Sequence, residues 1–143
     1  METSEIQTRV RYAETDQMGL VYHANYYVWF EMGRTEHFRM LGLPYVELEA
    51  EGVFLPVVET FCQYKAPARY DDLLTVRTWV EDVGAARISF SYQVLRPADG
   101  RLLAEGRTVH AFVDKEGRPI NVRKRAFYQK LMAGKTADEM AGQ

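Results

Sequence analysis

Residues 12–38, YAETDQMGLVYHANYYVWFEMGRTEHF, change character partway along. The first part sets Asp16, Gly19 and His23 in a run without regular period, and Glu14 to Tyr22 reads as a loop. From about Ala24 to Leu41, the residues Tyr26, Trp29, Phe30, Gly33, His37, Phe38 and Leu41 recur at three- and four-residue steps. That spacing predicts a helix with a broad apolar stripe, ended by Gly42 and Pro44. A loop carrying an acid and a histidine therefore runs into the N-terminus of the most helical segment of the chain.

The flanking sequence predicts strands. Ile6, Thr8, Val10 and Tyr12 alternate with Gln7, Arg9 and Arg11, a half-buried strand over Ile6–Tyr12. A short helical turn is expected at Tyr45–Ala50. Val53–Tyr64 is a further strand, with Pro56 marking an edge or a bend. Leu73–Val83 follows, and the clearest alternation lies in Ala86–Leu95. Pro97-Ala98-Asp99-Gly100 and Asp114-Lys115-Glu116-Gly117 make turns on either side of a strand over Leu102–Val113. Arg123–Met132 reads as a short closing helix, with a frayed tail over 134–143. One long helix and about five strands predict an α+β fold, a mainly antiparallel curved sheet wrapped around the helix. Residues 1–143 form a single domain in this reading. Trp79 and the outward strand residues point to self-association, edge to edge.

Composition narrows the function. Apolar residues make up 47% of the chain and the net charge is −2, with no block of about five or more like charges. Disorder is a poor reading of the chain as a whole, and strong nucleic-acid or acidic-membrane binding gains little support from charge. Cys62 is the one cysteine, so neither an internal disulfide nor a cysteine-pair zinc site can form. The start, METSEIQTRV, lacks the pattern of a signal peptide, and no apolar run is long enough to span a membrane. A reducing compartment, the cytoplasm, fits best.

Asp16 is the leading candidate for chemistry. An aspartate in a loop is ordinarily a turn residue. Beside a helix N-terminus it also neighbours unpaired N–H groups that can hold a carbonyl oxygen as it becomes negative. An ionised carboxylate there can attack an acyl carbon or take a proton from water. His23 either caps the loop or meets a substrate carbonyl, its backbone N–H mattering as much as its ring. Tyr12 is a core aromatic or orients Asp16. His37 and His110 lie on apolar faces and read as core or interface histidines, and Cys62 reads as inert. No His, Asp or Glu pair has metal-ligand spacing. Lys65 and Arg69 in YKAPARYDD, and Arg123 and Arg125 in RPINVRKR, are surface cations or the contacts of one phosphorylated small molecule.

The stretch RVRYAETDQMGLVYHANYYVWFEMGRTEHF resembles the opening of the 4-hydroxybenzoyl-CoA thioesterase-like group of hotdog-fold proteins. Within it, the chain is most similar to the acyl-CoA thioesterase branch associated with the Tol–Pal system. The resemblance extends through QYKAPARYDDLLTV to RPINV. It implies the hotdog fold and hydrolysis of an acyl-CoA to free acid and CoA, without metal or cofactor. It puts Asp16 in the catalytic carboxylate position, His23 where the thioester carbonyl is met, and Tyr12 as their companion. Asn25 and Tyr26, with Lys65, Arg69, Arg123 and Arg125, are the implied substrate and CoA contacts. Homodimers or homotetramers with sites at subunit interfaces are implied as well.

Other functions stay open at this point. A hotdog dehydratase or hydratase needs a histidine paired with a separate acid, and its HxxGxxxxP pattern is absent. Glu31 or Glu36 could serve as the acid of a branch that carries it on the helix. A non-catalytic acyl-CoA binder or scaffold is possible on the same fold.

Overall fold

Alternating residues build one sheet, and two glycines let a helix lie close against it. A computed structural model describes residues 2–141, with side chains through residue 133. In chain order come β1 (Thr3–Arg9), a 3-10 turn (Tyr12–Glu14), α1 (Asn25–Met40), α2 (Tyr45–Ala50) and β2 (Val57–Tyr64). Then follow β3 (Leu73–Val83), β4 (Arg87–Arg96), β5 (Arg101–Ala111) and α3 (Ala126–Ala141). The five strands are ordered β1-β3-β4-β5-β2, antiparallel throughout. This is the expected α+β architecture, with α1 lying on β1, β3 and β4.

Register explains the packing. Ser4, Thr78, Tyr92 and Gly106 stand side by side in one row across the sheet, and that row faces α1. The Phe30 ring stacks on Tyr92 with centroids 4.4 Å apart and planes at 12°. A Cβ on Gly106 would collide with that Phe30 ring, and one on Gly33 with the Thr78 hydroxyl. Glycine inside a helix costs about 1 kcal/mol relative to alanine. Here that cost is offset by the close approach it permits. Trp29, Phe30 and Phe38 are each 0% exposed, and full burial of such side chains is worth about 1.5–3 kcal/mol apiece. α1 ends where Gly42 takes φ +75° and the Leu43 N–H returns to the Phe38 carbonyl, as the sequence required.

Within this core runs a directional chain of polar groups. Arg34 donates to the hydroxyls of Tyr45 (2.9 Å) and Tyr92 (3.1 Å). Tyr92 and Thr108 share a 2.6 Å bond, and Thr108 lies 2.8 Å from His110 Nε2. The His110 Nδ1–H then donates to the Leu55 carbonyl at 3.0 Å. His37 is a core histidine too, with Nδ1 2.8 Å from the Ser4 hydroxyl. Both histidines are buried, as their apolar surroundings in sequence suggested.

Boundaries shifted where the chain turns. β1 begins and ends three residues before the expected Ile6–Tyr12, and Tyr12 opens the 3-10 turn with 79% exposure. It is therefore no core aromatic. Pro56 divides the segment expected as one strand over Val53–Tyr64: Phe54 makes a separate bridge to Val113, and β2 starts at Val57. α3 begins after Arg125 and stays helical to Ala141, beyond the residue where a frayed tail was expected; 142 and 143 of that tail lie outside the described residues.

Candidate active site

At one end of the sheet, the exit of β1, the end of β2 and the start of β3 surround the first turn of α1. Residues 15–21 form a small hairpin closed by a Thr15–Val21 bridge, and Leu20 bridges to Arg69. Gly19, with φ +78°, lets the hairpin turn back, and its N–H donates to the Asp16 carbonyl at 3.0 Å. The Asp16 side chain is fixed by its own loop. Its Oδ1 accepts the N–H of Met18 at 2.8 Å and of Leu20 at 3.2 Å. Asp16 Oδ2 has no hydrogen-bond partner among the described residues.

Asp16 and His23 line the same cleft, of ≈ 460 Å³, together with Tyr22, Tyr26, Tyr64 and Lys65. His23 is exposed, with its ring 4.5 Å from that of Tyr22. The N–H groups of Asn25, Tyr26 and Tyr27 donate back to Tyr22, His23 and Ala24. The first N–H without a backbone acceptor among the described residues is therefore not in α1 itself but at His23 and Ala24. His23 lines the cleft with Asp16, and a free N–H donor beside a carboxylate is the arrangement needed to polarise a carbonyl and deliver a base or nucleophile to it.

The remaining sequence candidates divide. Tyr26 lines the cleft from below, 3% exposed, and burial pushes its phenol up from the ordinary value. The Asn25 amide braces the loop, donating to the carbonyls of Glu14 (2.9 Å) and Tyr22 (3.2 Å). Tyr12 packs edge-on against Tyr70, 5.8 Å between centroids, and is not among the cleft residues. Lys65 is in the cleft and Arg69 at its edge. Arg123 and Arg125 are elsewhere: Val122 docks on Ala85 in the β3–β4 turn, and Arg125 reaches the Glu51 carbonyl at 3.5 Å. The length of β3, about 3.3 Å per residue, separates that turn from the cleft within one chain.

Two residues escaped sequence reasoning. Tyr64 donates its hydroxyl to the His23 carbonyl at 3.1 Å, across 41 positions. No local signal marks such a contact, because it depends on where the β2–β5 pairing ends. Glu14, 4% exposed, accepts the Trp29 indole N–H at 3.0 Å. No local signal marks it either, because the indole it bonds lies 15 positions further on. Cys62 is half-buried, and burial pushes its thiol up, which leaves it a poor nucleophile. Among the described residues no three His, Cys, Asp or Glu side chains converge, and no helix is long and apolar enough to cross a membrane.

This combination of a helix-wrapping antiparallel sheet and an acid-bearing cleft defines a hotdog-type protein. Comparison with known proteins agrees. Residues 10–137 match the model of the thioesterase-like superfamily, and the chain belongs to that family. YneP of Bacillus subtilis is 45% identical over 125 residues, 87% of this chain and 90% of its own. The acyl-CoA thioester hydrolase YbgC of Escherichia coli is 33% identical, over the same shares of the two chains. Among solved structures, a DHNA-CoA thioesterase from Staphylococcus aureus matches with a TM-score of 0.90 at 30% identity, covering 100% of this chain and 97% of that one.

Proposed function

We propose that this protein is an acyl-CoA thioesterase, a single hotdog domain that hydrolyses an acyl-CoA to the free acid and CoA. The observation that carries the reading is Asp16: Oδ1 is held by two backbone N–H groups while Oδ2 is left for chemistry in a cleft that also holds His23. Similarity to relatives acting on CoA thioesters supports the substrate class. The His23 N–H receives the thioester oxygen as charge builds on it. Asp16 either attacks the carbonyl carbon, expelling CoA thiolate and forming an anhydride that water opens, or takes a proton from the attacking water. Tyr26 and Tyr64 shape the acyl side of the cleft, and Lys65 and Arg69 are the cations this chain offers to the phosphates of CoA. No cofactor takes part in this scheme, and the cytoplasm is its setting.

Thiol release from a panel of acyl-CoAs tests it. Asp16→Asn should keep the fold and lower kcat by at least about a hundredfold, because the amide is neither base nor nucleophile. Activity within about tenfold of the parent would remove Asp16 from the chemistry. A parent protein that binds acyl-CoA without releasing thiol would establish the non-catalytic alternative.

We also propose an even-numbered homo-oligomer. β2 is an edge strand whose Val57, Val58 and Phe61 are exposed, and a second copy pairing there would continue the sheet. Tyr64 ends the same strand, so the pairing would complete each cleft with partner residues. Arg123 and Arg125, remote from the cleft in their own chain, could reach a cleft only across such an interface. An active monomer in sedimentation at assay concentration would contradict this.

A further inference from the structure

The cleft acid sits on a loop that is anchored to the core by a second acid. Glu14 is buried, and both of its carboxylate oxygens accept N–H donors: Oε1 from Arg11 at 2.8 Å and Oε2 from the Trp29 indole at 3.0 Å. Its carbonyl accepts the Tyr22 N–H at 2.9 Å and the Asn25 amide at 2.9 Å. One residue thus joins the chain entering the Asp16 hairpin, the chain leaving it, and the first turns of α1. Asp16 follows two positions later, on a hairpin otherwise held by the bridges of Thr15 and Leu20.

Stability alone is a weak account of an acid at this place. Burying a carboxylate costs several kcal/mol before its bonds are counted, and apolar residues of similar volume commonly do as well. The nearby Arg11 guanidinium, 3.4 Å away, has a side chain that is 73% exposed and offsets little of that cost. What a carboxylate offers that no apolar residue can is two acceptors at fixed positions, joining an indole in the core to the backbone at the loop entrance. We propose that Glu14 is the positioning residue of the cleft: it holds the hairpin at a fixed place on α1 and so sets where the Asp16 carboxylate stands relative to the His23 N–H. This rests on the reading of Asp16 as the reacting group.

A double-mutant cycle on the full chain tests it. Glu14→Gln preserves size but turns an NH2 toward one of two N–H donors, so one bond is lost and the loop shifts. A displacement near 1 Å costs up to about a hundredfold in rate, so kcat should fall at least tenfold with KM for acyl-CoA within about threefold. In an Asp16→Asn background the same change should cost no more than about twofold, because Glu14 acts through Asp16. Trp29→Phe removes one donor and keeps an aromatic side chain, though a smaller one, and should show a smaller loss with the same dependence on Asp16. It carries the test should Glu14→Gln fail to fold. Equal losses in both backgrounds, or a change confined to KM or to unfolding midpoint, would overturn the positioning role and leave the reading of Asp16 intact. An active Asp16→Asn would overturn that reading, and the role of Glu14 with it.

Discussion

The two halves of α1 present polar groups of opposite kinds. In the C-terminal half, Arg34 and His37 are buried and engaged: Arg34 heads the chain through Tyr92, Thr108 and His110 to the Leu55 carbonyl, and His37 is tied to Ser4. At the N-terminal end, the His23 N–H and Asp16 Oδ2 have no hydrogen-bond partner among the described residues, and both residues line an open cleft. A group already bonded in a dry site must lose its partners before it can react. The first set therefore specifies how helix and sheet dock, and the second is available to a substrate. A perturbed pKa in itself does not mark the site: His37 and His110, which burial lowers, are already bonded within the core.

That contrast is broken most easily by acid. Burial holds His37 at about 4 and, with the Arg34 charge adding to it, His110 at about 4, against 6.5 for a free histidine. A folded pKa below the unfolded one means that the unfolded chain binds more protons. Stability from these two groups is complete above pH 6.5 and is lost as the pH falls from there toward 4. Each contributes on the order of 2 kcal/mol of change between pH 7 and 5. Urea unfolding should therefore show a drop of about 4 kcal/mol over that interval for the pair. A drop under about 1 kcal/mol would mean that protonated histidine is accommodated in the core and that its polar chain is not directional.

How much of this was legible follows from the range of each interaction. Strand alternation and the helical stripe are local, so β3, β4, β5 and the burial of Trp29, Phe30 and His37 could be read directly from spacing. Asp16 and Gly19 were legible because turn chemistry is local as well. Tyr12 was misplaced because alternation continues formally past Arg9, while the backbone there turns to carry Glu14 into the core. Glu14 was overlooked for the same reason: an acid in a loop looks solvated until the indole it bonds is known. Lys65 and Arg69 on one side, and Arg123 and Arg125 on the other, look alike as sequence. Only the run of β3 between Asp72 and the turn near Ala85 tells them apart.

The smallest effect on stability, and a selective one on binding, belongs to the cleft cation. Arg34 is buried among hydroxyls, whereas the Lys65 side chain is 39% exposed and sits 3.7 Å from Glu105, itself 42% exposed. Half-exposed pairs of that kind contribute about 0–1 kcal/mol, so Lys65→Met should leave the unfolding midpoint nearly unchanged. Its ammonium is loosely held and lines the cleft with Asp16, which makes it available to an incoming phosphate. Loss of one charge-assisted contact should raise KM for acyl-CoA by roughly tenfold with kcat little changed, since the contact is equal in ground and transition states. A short thioester without the nucleotide lacks the phosphates and should be hydrolysed by Lys65→Met as by the parent. Equal increases in KM for both thioesters would mean that Lys65 shapes the acyl side of the cleft and that the CoA phosphates are held by other residues.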